Sequence, residues 1–198
     1  MSEQPNILVT PEFRVAFPNL FVPRAFKRNG KDAGEAKYSL TMLFDPKDIG
    51  PLKDAIRHVV NEKWPARDPK TLKLPLASGD AQAAKSEAKK KDGSFFKGTV
   101  VLKASSKFKP GVVDEKLQDV LDASRIYSGC FCRAELNFVA YDAVSDGGQD
   151  GVTAYVNFVM KVKDGPRVAG KDAKTVFAGV AGAVTDADPT ALDDEIPF

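Results

Sequence analysis

The run Cys130-Phe-Cys-Arg-Ala-Glu-Leu-Asn-Phe-Val-Ala-Tyr141 decides the fold class, together with Val152-Thr-Ala-Tyr-Val-Asn-Phe-Val-Met-Lys-Val-Lys163 after it. Both runs alternate with a period of two, the mark of strands with one buried face. In the first, Cys130, Cys132, Ala134, Leu136, Phe138 and Ala140 form the inward set, and Phe131, Arg133, Glu135, Asn137, Val139 and Tyr141 the outward set. In the second, Val152, Ala154, Val156, Phe158, Met160 and Val162 are expected inward. Thr153, Tyr155, Asn157, Lys161 and Lys163 are expected outward. The glycine-rich stretch Ser145-Asp-Gly-Gly-Gln-Asp-Gly151 joins the two as a hairpin.

Upstream, Phe13 to Phe17 and Lys37 to Phe44 read as strands, the latter with Tyr38, Leu40, Met42 and Phe44 on one face and Lys37, Ser39 and Thr41 on the other. Pro18 and Pro23 keep Asn19 to Val22 irregular or at an edge. Asn29-Gly30 and Gly34 mark a loop. Asp45 can cap and Pro46 and Pro51 suit a first turn, so the spacing of Ile49, Leu52, Ile56, Val59 and Val60 predicts an amphipathic helix over about 48 to 63. Residues 65 to 94, with three prolines, Ser78-Gly79 and the lysines from Lys85 to Lys91, read as a long loop. Phe95 to Lys103 reads as a further strand, with Phe96, Gly98, Val100 and Leu102 on one face and Phe95, Lys97 and Lys103 on the other. Lys171 to Ala178 is a short helical candidate. From Gly179 the composition predicts a flexible tail. About five antiparallel strands with one helix predict a mainly β fold: a five-stranded OB-like barrel with long loops and a disordered acidic tail. The domain is placed at 5–178 and the tail at 179–198.

The chain has 198 residues, 43% of them hydrophobic and 28% charged, which predicts one self-sufficient domain. No apolar run approaches the ~18 residues of a membrane span, and Met1 to Thr10 lacks a signal core, so a cytoplasmic protein is expected. Two cysteines make neither a secreted scaffold nor a structural zinc site. They read as reduced core thiols. The single histidine, His58, sits mid-helix and reads as an ordinary helix residue. No Walker loop, dinucleotide fingerprint, nucleophile elbow or paired-histidine zinc motif is present. Asp114-Glu115, Asp142, Asp146 and Asp150 read as solvated turns. No enzyme activity, metal, cofactor, small-molecule substrate or membrane partner is therefore expected.

Charge is asymmetric. Residues 186 to 198 carry −5 and the rest +7, which together give the net +2. Single-stranded nucleic acid is held by a cationic groove with aromatic faces, each stacked base contributing ~1–3 kcal/mol. The stacking candidates are Phe108, Tyr127, Phe131, Tyr141 and Tyr155. The phosphate candidates are Lys103, Lys107, Lys109, Arg125, Arg133, Lys161 and Lys163, and the segment Lys103-Ala-Ser-Ser-Lys107-Phe108-Lys109 interleaves one ring with three lysines and two hydroxyls. The plainer reading of these faces is solvated strands with edge lysines.

The last six residues, Asp193, Asp194, Glu195, Ile196, Pro197 and Phe198, put three acids before an apolar hook. This resembles the C-terminal tip of bacterial single-stranded DNA-binding proteins, with Glu195 where that family has an aspartate. Phe13 to Pro23, Lys37-Tyr-Ser-Leu40, Leu102 to Ser106 with Lys109-Pro-Gly, Ile126-Tyr-Ser-Gly129 with Arg133-Ala134 and Asn137-Phe138, then Asn157 and Lys161 to Gly165 resemble, in that order, a family of bacteriophage-encoded OB-fold single-stranded DNA-binding proteins. The resemblance implies coating of single-stranded DNA with slight sequence preference, during replication, recombination or repair. The tip implies recruitment of replication or recombination proteins. Two other readings stay open: a single-stranded RNA binder or chaperone, and a protein–protein adaptor.

Overall fold

The computed structural model describes residues 5–28, 31–143 and 148–168. The chain lays down β1 (Ile7–Val9), β2 (Phe13–Arg28), β3 (Lys31–Phe44), α1 (Gly50–Lys63), β4 (Leu76–Ser78), α2 (Gly79–Glu87), β5 (Val100–Ser106), β6 (Gly111–Val113), β7 (Phe131–Tyr141) and β8 (Gly151–Lys163). Strand β3 pairs antiparallel with β2 and with β5, β5 runs parallel to β8 through Ala104 and Ala154, and β8 pairs antiparallel with β7. Phe13 and Arg14 of β2 pair with Cys132 and Phe131 of β7, and this closes the ring β2-β3-β5-β8-β7. A closed five-stranded barrel of this order is the OB architecture. Short strands β1, β4 and β6 extend it beside β7, β5 and β8.

The barrel is filled by one face of each strand: Val15, Leu40, Met42, Phe44, Leu102, Ala104, Cys132, Ala134, Leu136, Phe138, Ala154 and Val156 are all buried. Burial follows the period-two pattern in β7 and the first half of β8, whereas in β3 Thr41 and Leu43 of the other face are buried as well. Helix α1 packs Leu52, Ala55, Ile56, Val59 and Val60 onto this core. Asp45 Oδ1 accepts the Lys47 N–H at 3.1 Å and so caps the short turn Pro46–Asp48 that leads into α1. His58 lies half exposed beside Glu62 on the outer face of α1. Cys130 and Cys132 are free, buried and 3.9 Å apart at sulfur. Hydrogen bonding to Cys130 and burial hold the Cys132 thiol above its ordinary range. No helix among the described residues is long and apolar enough to cross a membrane.

Three expectations are corrected. First, the 65–94 stretch contains β4 and α2. Ser78 reads as a turn residue but caps α2, its Oγ accepting the Ala81 N–H at 3.4 Å. Gly79 is obligatory there, because a Cβ would lie 2.0 Å from the Phe96 carbonyl oxygen. Secondly, Phe95 to Lys103 is no continuous strand. Ser94–Phe96 forms a short helical turn, and the strand starts at Val100. The cause is a second small core on the barrel's outer wall, where Ala16, Leu43 and Val101 meet Ala83 of α2 and Phe96. With both faces of β5 covered at Val101 and Leu102, alternation loses its phase. Thirdly, β8 changes face midway. Glu135 pairs with Phe158 but Leu136 pairs with Val156, so Asn157 is an extra residue in a bulge. Beyond it Phe158 is 59% exposed, while Val159 and Lys161 are buried. Simple alternation predicts Phe158 inward and Lys161 outward.

Strands β2 and β3 extend past the expected loop to Arg28 and from Lys31, and β2 includes Asn19 to Val22 as bulged strand. Asn29-Gly30, part of the 145–151 hairpin, the helical candidate 171–178 and the tail 179–198 lie outside the described residues.

Candidate nucleic-acid interface

Two depressions meet at Tyr155 on the outer face of the barrel. One, of about 480 Å³, is lined by Lys73, Lys103, Tyr141, Thr153 and Tyr155 among others. The other, of about 320 Å³, is lined by Lys37, Lys107, Phe108, Asn137, Tyr155 and Asn157 with Ser106. The pleat explains the convergence. Tyr155 alternates with buried Ala154 and Val156 on β8, as Lys103 does with Leu102 and Ala104 on β5, so both face out. Strand β3 adds Lys37 from its exposed middle. Phe108 follows β5, is 83% exposed, and has its N–H held by Ser106 Oγ at 3.1 Å.

Four lysines, three aromatic rings and two asparagine side chains thus line two depressions that share Tyr155, together the candidate groove. Lys107 Nζ lies 2.7 Å from Glu35 Oε2. This contact moves Lys107 up and Glu35 down from their ordinary ranges. Both groups are exposed, so the pair is weak in water and Lys107 can exchange its carboxylate for a phosphate. Asn157 Nδ2 donates to Glu135 Oε1 at 3.0 Å, which fixes the amide at the bulge. Backbone bonds place Lys73: its N–H donates to Asp150 O, and its carbonyl accepts from Val152 N–H, both at 2.9 Å. Gly151 makes room, since a Cβ there would sit 2.2 Å from the Lys73 carbonyl oxygen.

Of the residues singled out from sequence, Phe108, Tyr141, Tyr155, Lys103 and Lys107 come together in this groove. The others do not. Phe131 opens β7 and Tyr141 ends it, ten residues and about 33 Å further along. Lys163 Nζ lies 4.8 Å from the Phe131 ring centre, Arg14 lies 6.0 Å from it, and Lys163 also pairs with Glu12 at 2.7 Å. Tyr127 is tied down more firmly. Its hydroxyl lies 2.9 Å from the Gly165 carbonyl and 3.0 Å from Asp164 Oδ1, and Arg167 covers its ring at 4.4 Å. Burial pushes the Tyr127 phenol up, and the bonds from Lys161 and Tyr127 hold the Asp164 carboxyl down. Lys161, buried, pairs with that same Asp164 at 2.7 Å. Tyr127, Lys161 and Asp164 therefore clamp residues 164–168 across the barrel. Arg125 reaches Asp114 at 3.4 Å. Asp114 is held low chiefly by the Gln118 N–H. Lys109 sits 5.9 Å from the Phe21 ring, and Arg133 is exposed opposite Met160.

Lys37, Lys73, Asn137 and Asn157 also line the groove and are not among the sequence candidates. Strand parity in β3 was signal enough for Lys37, which shares its face with Ser39 and Thr41. Lys73 carries no local signal. The acids read as turns engage bases: Asp142 pairs with Lys63 at 2.9 Å, and Asp150 with Arg67. Among the described residues no group of three metal-ligating side chains occurs.

A family model described as the single-stranded DNA-binding protein of Enterobacter phage Enc34 matches residues 6–188. The putative protein p50 of Acyrthosiphon pisum secondary endosymbiont phage 1 is 30% identical over an alignment of 162 residues that covers 79% of this chain and 83% of that protein. The single-stranded DNA-binding protein of bacteriophage Enc34, solved in complex with single-stranded DNA, superposes with a TM-score of 0.65 at 20% identity. The match covers 84% of this chain and 91% of that one. Gp2.5, a single-stranded DNA-binding protein encoded by bacteriophage T7, gives 0.54 at 14% identity, over 87% and 100%. These two structures share the fold.

Proposed function

Because the chain belongs to the phage single-stranded DNA-binding protein family represented by that of Enterobacter phage Enc34, we propose that its groove holds single-stranded DNA. The observation that carries this reading is Tyr155, an exposed ring shared by two lysine-bearing depressions. Bases stack on Tyr155, Tyr141 and Phe108. Phosphates meet Lys37, Lys73, Lys103 and Lys107. Both contacts are blind to sequence, so the protein coats a strand with slight preference during replication, recombination or repair in the cytoplasm of the host cell. It protects the strand and removes hairpins by binding the unpaired form.

The test is fluorescence anisotropy with labelled dT oligomer at two salt concentrations, with duplex DNA and rU of equal length as competitors. Tight binding that weakens with salt and resists duplex is expected. If all four lysines engage phosphate, the slope of log K against log salt is about −3, at ~0.7 per contact. No binding at low salt rejects the reading, and a preference for rU replaces it with an RNA function.

We further propose that Asp193, Asp194, Glu195, Ile196, Pro197 and Phe198 recruit replication or recombination proteins, the apolar end as hook and the acids as charge for a basic rim. The same charge competes weakly with DNA for the lysine groove. Deleting residues 190–198 should tighten dT binding at low salt, with the difference fading at high salt, and should end co-purification of host replication proteins. Weaker dT binding by the truncated chain sinks the competition.

A further inference from the structure

Phe17, on the outer wall, lies outside both depressions. It is 49% exposed. Its ring meets Phe95 edge-on with centroids 5.9 Å apart, and Phe95 stacks against Phe96 at 4.3 Å. Its backbone is left-handed, with φ 48°, a conformation that disfavours bulky residues. A bulge creates it. Ala16 pairs with Thr41 and Asn19 with Ser39, so Phe17 and Pro18 together oppose Leu40. Simple alternation after buried Val15 would send Phe17 into the barrel. The bulge turns the ring to solvent instead, and the Phe17 N–H is held there by Ser128 Oγ at 3.0 Å.

The register shows what lies beside it. Thr41 pairs with Ala16 on one side and Lys103 on the other, and Ser39 pairs with Asn19 and Ser105. Asn19 Nδ2 donates to Ser39 Oγ at 3.1 Å. Beyond β5 comes β8 with Tyr155. A row of amide, hydroxyl and one lysine thus runs across the strands between two exposed rings. Three inter-strand steps of ~4.8 Å put Phe17 about 14 Å from the Tyr155 strand.

We propose that Phe17 is a further base-stacking platform, outside the groove, at the far end of a path on which single-stranded DNA crosses the strands from Tyr155. The inference rests on the single-strand reading of the groove and extends it to the opposite edge of the same wall. Lys103, Ser105, Ser39 and Asn19 face the backbone between the two stacked bases.

The experiment compares wild type, F17N and F17W on a dT oligomer of about 16 nucleotides, the upper site size for one such domain. Asparagine suits the left-handed backbone and removes the ring, so F17N should unfold no lower than wild type. Its dT affinity should be roughly five- to a hundred-fold weaker, with an unchanged salt slope, as loss of one stack requires. F17W should show emission quenching on dT addition beyond that of Trp64 in wild type. Wild-type dT affinity in F17N overturns the proposal. So does a loss of affinity that tracks a lower Tm, or no added quenching in F17W. If wild type itself fails to bind dT at low salt, the groove reading falls and this one with it. If wild type binds and F17N is indistinguishable, only the Phe17 platform falls.

Discussion

Replacing Tyr155 by alanine should weaken dT binding by about 1–3 kcal/mol, roughly five- to over a hundred-fold, while the salt slope stays as in wild type. The ring borders both depressions, so its removal ends stacking at the point where they join. It takes away no charge, so the number of counterions released is unchanged. Lys103→Ala is the complement. It should lower affinity less and flatten the slope by ~0.7. Neither change should move Tm by more than a few degrees, since both side chains are exposed and the core residues beside them are untouched. Anisotropy titrations at four salt concentrations read affinity and slope together. A Tyr155→Ala protein with wild-type affinity would put the DNA elsewhere on the barrel.

Gly129→Ala should cost about 3 kcal/mol or more of stability, a fall in Tm of roughly 6–12 °C for a chain of this size. Two effects add. Gly129 has φ 123°, which side chains rarely adopt, and its Cβ would lie 2.2 Å from the Pro166 carbonyl oxygen. That carbonyl belongs to the segment clamped by Tyr127 and Lys161, and Gly129 itself donates to Val15 O at 2.9 Å. Neither chain can retreat without breaking bonds to the barrel. Gly34→Ala is the control. Its φ is 90° with nothing within 4 Å, so only the backbone term applies, about 1 kcal/mol. Thermal unfolding of the two proteins separates the contributions. Equal losses would mean that the 164–168 clamp is not closely packed.

The legible part of the fold is the part with one wet face. Strand β7 alternates cleanly because water reaches one side, and α1 shows its stripe for the same reason. Legibility ends where that condition fails. Val156-Asn-Phe-Val159 puts apolar residues at both parities, so a bulge at Asn157 leaves no trace in composition, and Lys161 was assigned to the wrong face. Helix α2 buries only Gly79 and Ala83, too little for a stripe. Its place comes from packing on Leu43 and Val101. In the candidate groove, parity puts Tyr141 and Tyr155 on one face, and both line the same depression. It could not tell Phe131 from them, because parity names a face and not a position along a strand. Lys73 reaches the groove through backbone bonds to residues about 80 positions away, which no local window contains. The acidic tip was the plainest sequence signal, and it lies outside the described residues.

Closure of the barrel sets an order of events at synthesis. The ring joins Phe13 to Cys132 and Ala104 to Ala154, so one seam unites segments more than half the chain apart and the other segments about a quarter of the chain apart. Such contacts carry a large loop-closure entropy and make for slow folding. Tyr155 belongs to the last strand among the described residues, so the proposed DNA-binding wall has no central ring until β8 emerges from the ribosome. A nascent chain ending before β8 has the lysines of β3 and β5 but not the surface that joins them. On the proposed site, competence to bind a strand therefore arrives only once β8 is in place.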